Sequence, residues 1–249
     1  METTVSFAVV IPMYNEEFGV EKCVRTVCQA LDLFTNRTAL IAVNDGSYDR
    51  TGLMLSQLEK EYPSLIVVTH EKNQGYGCGL QTGVRWAAEL KFDYVLFMDS
   101  DLTNDPKYLP LFVEQMEQGF DVIKASRYIK GGAMAGVPAW RMTISIVGNR
   151  IARLLYGLPI NDCTNGFRAL KTNLLQQMRL QEPGFVIIME ELYQAKFLAK
   201  TFCEVPYTLT TRSGTIRPSS FVYHPKIFYD YLKYAVKSFL NYPPVHIQI

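Results

Sequence analysis

Residues 94–101 read YVLFMDSD, an apolar run that leads directly into two aspartates. Val, Tyr and Phe favour β-strands, and a short run without polar alternation indicates a strand that is buried on both faces. Asp99 and Asp101 would then lie at the carboxyl end of that strand. This segment predicts a parallel sheet with its polar chemistry along one edge.

Three earlier apolar runs end in the same manner, each followed by a polar turn and a helical pattern. The runs cover residues 5–11, 39–43 and 65–69, and the helical patterns cover residues 16–33, 49–60 and 79–90. Asp49 is of a residue type that typically caps helices. Strands that alternate with helices, without repeats or low-complexity linkers, predict a parallel, doubly wound α/β sheet.

After residue 119 the pattern is looser. The expected elements are strands at residues 121–125 and 202–207, a glycine-rich loop at 130–136, and helices at 140–156, 190–200 and from Pro225 onward. We predict a single domain, residues 1–220, with a C-terminal amphipathic helical extension, residues 221–249. The apolar face of this extension either packs on its own domain or lies at a membrane surface.

The composition is that of an ordinary globular protein. Of the 249 residues, 48% are hydrophobic and 20% are charged, which argues against a disordered or fibrous chain. The 25 basic and 24 acidic side chains leave a formal net charge of +1, so no overall field would attract nucleic acid. The five cysteines show no Cys-x-x-Cys pair and no metal-ligand spacing, which predicts reduced thiols and no zinc site.

The sequence contains no run of about 20 apolar residues, so we expect no membrane-spanning helix. Glu2 lies near the N-terminus and no basic segment precedes an apolar one, so we expect no signal peptide. These features predict a cytoplasmic location, with peripheral attachment to the cytoplasmic face of a membrane left open.

Carboxylates at the strand ends indicate a metal-assisted ligand site. In an open α/β sheet, ligands bind beyond the carboxyl ends of the strands. Asp99 and Asp101 would be costly there unless a cation neutralises them, and Mg²⁺ or Mn²⁺ suits such hard oxygen ligands. Residues 75–79 (GYGCG) follow the third strand and lack the spacing of the dinucleotide fingerprint, which argues against a nicotinamide dehydrogenase.

Six motifs occur in a fixed order along the chain. They are VVIPMYNEE (9–17), VNDGSYDRT (43–51), NQGYGCG (73–79), FMDSDLTNDP (97–106), ASRYIKGGAMAGVPAWRMTISIVGNRIARLLYG (125–157) and NDCTNGFRALK (161–171). Together they resemble the family-two inverting glycosyltransferases with the GT-A fold, a Rossmann-like and mainly parallel sheet flanked by helices. The last two motifs resemble those of dolichyl- and polyprenyl-phosphate mannosyl- and glucosyltransferases. The resemblance covers roughly residues 5–217.

The resemblance implies a nucleotide-sugar site with a divalent metal ion, Mg²⁺ or Mn²⁺. The positions that match the base and ribose contacts are Pro12, Tyr14, Glu16 and Asp45. Asp99 and Asp101 match the metal and diphosphate site, and Asp101 would be catalytic. The family often has Gln two residues after the second aspartate, where this chain has Thr103.

The resemblance also implies a site for an acceptor phosphate. The matching positions are Ser126, Arg127, Arg141 and Arg168, and Arg127 would also be catalytic. A later family loop, R-x-x-G-x-S-K, is matched only in part by TRSGTIRPS (211–219), where Arg217 would replace the Lys and Arg212 is one position out of register.

Three carboxylates are candidates to handle the acceptor. Asp162 would orient the acceptor or act as a base, and its alternative interpretation is an Asx-turn residue. Glu190 or Glu191 would act as a base only if the acceptor were a hydroxyl. Otherwise, both would favour the positive end of a helix dipole.

We expect inverting transfer of a hexose from a nucleoside-diphosphate sugar, of the GDP-mannose or UDP-glucose type, to a polyprenyl or dolichyl phosphate at a membrane surface. One alternative keeps the donor site and uses a saccharide or another hydroxyl acceptor. Another is a non-catalytic subunit that binds nucleotide sugars. No nucleic acid is expected as a partner, while a membrane-protein partner and a homo-oligomer both stay open.

Overall fold

The computed structural model describes residues 4–210 and 225–247, with the backbone alone for residues 225–228. The strands are β1 (Phe7–Met13), β2 (Thr38–Asn44), β3 (Leu65–Thr69), β4 (Tyr94–Phe97), β5 (Val122–Ser126), β6 (Ala133–Met134), β7 (Arg168–Lys171), β8 (Phe202–Pro206) and β9 (Thr208–Leu209). Seven of them form one sheet in the order β3-β2-β1-β4-β7-β5-β8. The helices are α1 (Val20–Leu31), α2 (Thr51–Glu61), α3 (Tyr76–Glu89), α4 (Leu109–Glu117), α5 (Ala139–Tyr156), α6 (Thr172–Gln177), α7 (Ile187–Leu198) and α8 (Pro225–Phe239).

Strand β1 lies inside the sheet, and all seven of its residues are buried. It pairs in parallel with β2 on one side and with β4 on the other. Phe7 and Val9 enter the core that contains α1, whereas Ala8 and Val10 enter the core that contains α3. A strand covered on both faces needs apolar residues at every position, which accounts for the unbroken apolar run at residues 7–11.

Helix α3 approaches β1 closely because glycines face the strand. A Cβ on Gly83 would overlap Cγ1 of Val10, and a Cβ on Gly79 would lie 2.8 Å from Cβ of Pro12. The close contact brings the N-terminus of α3 to the carboxyl ends of β1 and β2. The helix therefore begins where the candidate ligand residues lie.

The predicted helices and strands of both halves are confirmed with small shifts, and the second half contains further elements that were not predicted. Helix α3 begins at Tyr76 rather than at residue 79. Strand β7 was not predicted, and it runs antiparallel to both β4 and β5, between which it lies. The sheet is therefore mainly parallel, as the family resemblance implied. Helices α4 and α6 were not predicted either.

The glycine-rich segment at 130–136 contains a short strand. Strand β6 pairs in parallel with β9 at the start of the polar segment that follows β8. Residues 211–224, which include Arg212 and Arg217, lie outside the described residues.

Helix α8 has one packed face and one exposed face. Tyr234 and Ala235 are buried against the domain, and Oγ of Ser238 donates a hydrogen bond to the carbonyl of Tyr156 at 3.3 Å. Tyr229 and Phe239 are exposed. Within residues 4–210 and 225–247, we find no helix that is both long and apolar enough to cross a membrane.

The sheet contains a buried lysine on β5. Lys124 is 1% exposed, lies opposite Arg168 of β7, and donates a hydrogen bond from Nζ to the carbonyl of Asn165 at 2.9 Å. Burial, followed by the nearby positive charge of Arg168, lowers the pKa of Lys124 to about 8. The lysine ties β5 to the loop before β7 at the expense of burying a charge.

Substitution of two helical glycines should change stability in opposite directions. Gly83→Ala should destabilise the protein by about 1–3 kcal/mol, because the new methyl group must displace a buried, β-branched side chain. A Cβ on Gly148 of α5 would have no atom within 4 Å. Gly148→Ala should therefore stabilise the protein by about 0.5–1 kcal/mol, since alanine is the better helix former. Urea unfolding of both variants measures the difference, and equal effects of the same sign would contradict this account of the α3–β1 contact.

The stability of a Lys124→Met variant should depend on pH. The pKa of Lys124 falls from 10.5 to about 8 on folding, so the cost of burying its charge is complete below pH 8 and disappears as the pH rises through 10.5. Below pH 8, removing the charge should raise the free energy of unfolding by up to about 3 kcal/mol. The carbonyl of Asn165 loses its donor in the variant, which should offset about 1 kcal/mol of that gain. The advantage of the variant should therefore shrink as the pH rises.

Chemical denaturation at pH 6.5, 8 and 9.5 measures this trend. Lys22→Met, which changes an exposed lysine of α1, is the matched control and should show a flat difference from the wild type. A Lys124→Met difference that stays constant over this range would refute the buried-charge explanation.

Candidate active site

One cleft of about 960 Å³ lies beyond the carboxyl ends of the parallel strands. The six donor-side residues predicted from the sequence all line it: Pro12, Tyr14, Glu16, Asp45, Asp99 and Asp101. They come from the ends of three strands, which adjacent pairing brings to one edge of the sheet. The structure thus brings the predicted residues together, and their individual roles stay predictions.

The loops after β1 and β2 are joined by hydrogen bonds. The backbone N–H of Asn15 donates to Oγ of Ser47 at 3.0 Å, and that of Tyr48 donates to Oδ1 of Asn15 at 3.1 Å. The N–H of Glu16 donates to Oγ1 of Thr51 at 2.7 Å. These contacts tie the loop that contains Tyr14 and Glu16 to the segment that directly follows Asp45.

The glycine-rich loop before α3 holds the carboxylate of Asp45. The backbone N–H groups of Gln74 and Gly75 donate to Oδ1 and Oδ2 of Asp45 at 2.9 and 2.8 Å. Gly75 has a φ of +99°, and a Cβ there would lie 2.5 Å from the carbonyl oxygen of Pro183, so the turn requires glycine. The glycine-rich segment therefore holds the side chain of Asp45, and it differs in this from a dinucleotide-binding loop.

Asp99 and Asp101 are oriented by neighbouring donors. Oγ1 and the backbone N–H of Thr103 donate to Oδ1 of Asp101 at 2.6 and 3.0 Å. The hydroxyl of Tyr76 donates to Oδ1 of Asp99 at 3.3 Å, and burial followed by the charge of Asp99 raises the pKa of Tyr76 well above its usual value. Tyr76 therefore stays a neutral donor at physiological pH, and Thr103 orients Asp101.

The two aspartates fit a hard divalent cation. Both line the cleft and supply carboxylate oxygens, the ligand type that Mg²⁺ and Mn²⁺ prefer. Among the described residues, no group of three or more His, Cys, Asp or Glu side chains is placed to hold a metal. A two-carboxylate site suits a cation whose remaining ligands come from water and from substrate phosphates.

Arg127 lines the cleft and is held by Asp162. Nε and Nη2 of Arg127 donate to the two carboxylate oxygens of Asp162, both at 2.7 Å, and the N–H of Arg127 adds a third bond at 3.1 Å. Asp162 is fully buried. Burial alone would lower the pKa of Arg127, but the carboxylate of Asp162 outweighs it and leaves that pKa raised.

The pairing bears on the role of Asp162. Both of its oxygens are occupied by Arg127 and it does not line the cleft. This geometry favours a role for Asp162 in orienting Arg127 over a role as a base. Asp162 is a member of an ion pair rather than the Asx-turn residue of the alternative interpretation.

Of the other predicted acceptor residues, the three that the structure describes do not line the cleft. Arg168 is fully buried, and its Nε and Nη2 donate to the two oxygens of Glu191 at 2.5 and 2.7 Å. Ser126 is also fully buried, and its Oγ accepts from the N–H of Tyr128 at 3.3 Å. Arg141 is exposed on the first turn of α5, with its guanidinium 5.1 Å from the ring centre of Trp140. Arg217 lies outside the described residues.

Glu190 and Glu191 are also occupied away from the cleft. Oε2 of Glu190 accepts the backbone N–H groups of Gln181 and Glu182 at 2.8 and 2.9 Å, and burial raises the pKa of Glu190. Glu191 pairs with Arg168. Neither carboxylate lines the cleft.

A polar network on α5 was missed by the sequence analysis. Oγ1 of Thr164 accepts from Nη2 of Arg127 at 3.2 Å and from Nδ2 of Asn149 at 3.1 Å. Ser145 lies one turn before Asn149, and both line the cleft with Thr164. Two polar residues four apart share one face of a helix, and this spacing was the signal available in the sequence.

Beyond this network the lining of the cleft becomes apolar. It is formed by side chains from α5, α7 and α8 and from the loop before α7: Ile144, Ile151, Ala152, Leu155, Phe185, Ile188, Met189, Tyr231, Leu232, Ala235. The cleft is thus polar at the strand ends and apolar between the helices, with Arg127 and Thr164 joined to α5 by Asn149.

Comparison with known proteins identifies a family. The model of glycosyl transferase family 2 matches residues 8–179. The chain is 31% identical over 210 residues to the dolichol-phosphate mannosyltransferase of Pyrococcus furiosus, a match covering 83% of this chain and 57% of that protein. It is 30% identical over 206 residues to the undecaprenyl-phosphate mannosyltransferase of Micrococcus luteus, with 82% and 83% covered. The chain thus spans little more than half of the Pyrococcus enzyme.

A similar fold occurs in a solved structure. Glucosyl-3-phosphoglycerate synthase from Mycobacterium tuberculosis, in complex with Mn²⁺, UDP and glucosyl-3-phosphoglycerate, superposes with a TM-score of 0.66 at 21% identity, over 97% of this chain and 82% of that one. This likeness confirms the expected GT-A fold. The family match covers more than half of the sequence and includes every motif from β1 to β7, and the chain belongs to glycosyl transferase family 2.

Proposed function

We propose that the chain transfers a hexose, with inversion, from a nucleoside-diphosphate sugar to a polyprenyl or dolichyl phosphate. The observation that carries this proposal is the two-part cleft, whose carboxylate-rich half is continuous with a half lined by apolar side chains. A nucleotide sugar suits the polar half and a prenyl chain suits the apolar half. The similarity to a dolichol-phosphate and an undecaprenyl-phosphate mannosyltransferase supports the same acceptor class.

In the donor half, Asp99 and Asp101 would hold Mg²⁺ or Mn²⁺ together with the donor diphosphate. The metal would stabilise the negative charge that develops on the leaving diphosphate. The Mn²⁺ and UDP bound by the mycobacterial synthase support a divalent cation here. Tyr76 and Thr103 keep the two carboxylates oriented, and Asp45, Glu16 and Tyr14 line the part of the cleft assigned to the nucleoside.

In the acceptor half, Arg127 would bind the lipid phosphate. A phosphate monoester has a second pKa near ~6, so it is largely ionised at pH 7 and needs positioning more than a base. Nη1 of Arg127, which neither Asp162 nor Thr164 contacts, offers two N–H groups to phosphate oxygens, and Asp162 holds the guanidinium in place. Attack by the phosphate on the face of the sugar opposite the leaving diphosphate would invert the anomeric centre.

A hydroxyl acceptor is less compatible with this geometry. Such an acceptor needs a carboxylate within reach to remove its proton. The three carboxylates considered for that task, Asp162, Glu190 and Glu191, are occupied by Arg127, by backbone N–H groups and by Arg168. An acceptor that arrives ionised removes the need for a base.

Peripheral attachment to the cytoplasmic face of a membrane follows as part of the proposal. Helices α5 and α8 expose large apolar side chains: Trp140, Ile144, Val147, Ile151 and Leu154 on α5, and Tyr229, Leu232, Val236 and Phe239 on α8. Aromatic and lysine side chains on one amphipathic helix suit the membrane interface. We also keep the division into a catalytic domain, residues 1–220, and an extension, residues 221–249, as a proposal.

A transfer assay tests the chemistry. Radiolabelled GDP-mannose and UDP-glucose are each incubated with a short polyprenyl phosphate and Mn²⁺ or Mg²⁺, and label is counted in the organic phase. Asp101→Ala should lower the rate at least about 100-fold, because it removes a carboxylate that would hold the metal ion, and this ion would stabilise the charge on the leaving diphosphate. Asp105→Ala, which changes a nearby aspartate 41% exposed at its side chain, should retain activity.

The outcome separates the three functional classes. Metal-dependent label in the organic phase, lost in Asp101→Ala alone, supports the lipid-phosphate acceptor and identifies the donor. Label that appears only on an added saccharide would move the protein to the hydroxyl-acceptor class. Donor binding without turnover on either acceptor would make it a binding subunit.

The exposed face of α8 is tested by flotation with liposomes of phosphatidylcholine and phosphatidylglycerol. Tyr229 and Phe239 are 71% and 62% exposed, and insertion of each ring into the lipid interface should be worth about 1.5–3 kcal/mol. A Tyr229→Ser, Phe239→Ser double variant should lose at least about tenfold in binding. Phe18→Ser, which removes an 85% exposed ring elsewhere, should float like the wild type, and equal flotation of all three proteins would exclude α8 as the membrane contact.

A further inference from the structure

The side chain of His70 connects the candidate nucleoside site to helix α3. Its Nδ1 lies 2.7 Å from Oδ1 of Asp45, and its Nε2 lies 2.9 Å from Oγ1 of Thr82. Nη2 of Arg85 donates to the same hydroxyl of Thr82 at 2.8 Å. His70 does not line the cleft, whereas Asp45 does.

The hydrogen bond to Asp45 requires a hydrogen on Nδ1 of His70. The carboxylate of Asp45 only accepts, so Nδ1 is the donor of that bond. Oγ1 of Thr82 accepts from Arg85 and lies 2.9 Å from Nε2 of His70, and it has a second lone pair and its own hydrogen for that contact. The contacts from Arg85 to Asp45 therefore hold the ring of His70 with Nδ1 directed at the carboxylate.

Asp45 is consequently held by three donors and also lines the cleft. Oδ1 accepts from His70 and from the N–H of Gln74, and Oδ2 accepts from the N–H of Gly75. A carboxylate offers about four lone-pair sites. Asp45 is 2% exposed and lines the cleft, so its remaining acceptor capacity is available to a ligand bound there.

We propose that His70 is a positioning residue for the donor nucleoside, because it sets the orientation and acceptor strength of Asp45. This inference rests on the proposed function, in which Asp45 receives an N–H or O–H of the nucleoside. Without the His70 donor, the buried carboxylate loses a charge-assisted hydrogen bond and can rotate or draw in water. The affinity for the nucleoside end of the donor falls as a result.

Substitution of His70 should affect the binding of the donor rather than the chemical step. Both ring nitrogens of His70 are occupied by Asp45 and Thr82, and Asp99 and Asp101 lie at the end of a different strand. Substitution of His70 should therefore raise the KM for the nucleotide sugar and leave kcat nearly unchanged.

Two conservative variants separate the Nδ1 donor from the bulk of the ring. The amide nitrogen of asparagine can take the place of Nδ1, whereas the longer glutamine places its amide near Nε2, beside Thr82. The dissociation constants of UDP and GDP are measured by calorimetry with Mn²⁺, and KM and kcat are measured for the preferred donor. Manganese pyrophosphate, which has no nucleoside, serves as the internal control ligand.

For the nucleotide that the wild type binds, His70→Gln and His70→Ala should weaken affinity about tenfold, and His70→Asn should stay within about threefold of the wild type. Pyrophosphate affinity and kcat should change less than about twofold in all three. Losses that are equal in the Asn and Gln variants, or that extend to pyrophosphate, would overturn the inference and leave His70 a structural residue.

The binding and transfer measurements distinguish a failure of this inference from a failure of the proposed function. A wild type that binds and transfers a nucleotide sugar, with His70→Gln unchanged in nucleotide affinity, refutes the role of His70 and leaves the proposed function intact. A wild type that binds neither nucleotide overturns both.

Discussion

The burial of β1 on both faces is the constraint on which the rest of the molecule depends. Because α1 and α3 cover opposite faces of this strand, none of its seven positions can carry a polar side chain without cost. Polar chemistry is thereby displaced to the residues that follow the strand. Parallel pairing with β2 and β4 brings the equivalent ends of those strands to the same edge, and the cleft forms there.

Buried charges near the cleft are compensated by partners, which determines what each of them can do. Asp162 is neutralised by Arg127 and Glu191 by Arg168, with both carboxylate oxygens used in each pair. Breaking such a pair leaves an isolated buried charge, which is expensive. These carboxylates therefore act as supports, and Arg127, which also lines the cleft, is the member of the two pairs placed to meet a ligand.

The sequence predicted the half of the cleft that we propose for the donor more completely than the half that we propose for the acceptor, and the reason lies in the chain connections. The residues proposed for the donor site follow apolar strands, so strand order alone brings Asp45 and Asp101 to one edge. Strand β7 is four residues long with a cation at each end, and its apolar signal is too short to recognise. Ser126 and Arg168 fall within matched motifs yet are fully buried, and Arg168 pairs with Glu191 from a helix 23 residues away. No local pattern contains that contact, and a motif does not distinguish a side chain that contacts a ligand from one that supports it.

The contrast between the two halves of the cleft favours a substrate that is itself amphipathic. The polar half is built from strand ends and backbone N–H groups that hold charged side chains. The other half is built from α5 and α8, whose apolar side chains line the cleft and continue onto the exposed surface. Such a surface is costly in water and is stabilised when an apolar chain or lipid covers it. Since Thr164 hydrogen-bonds both Arg127 and Asn149 of α5, a phosphate on Arg127 would lie beside that apolar surface, which is the arrangement that a phosphate joined to a prenyl chain requires.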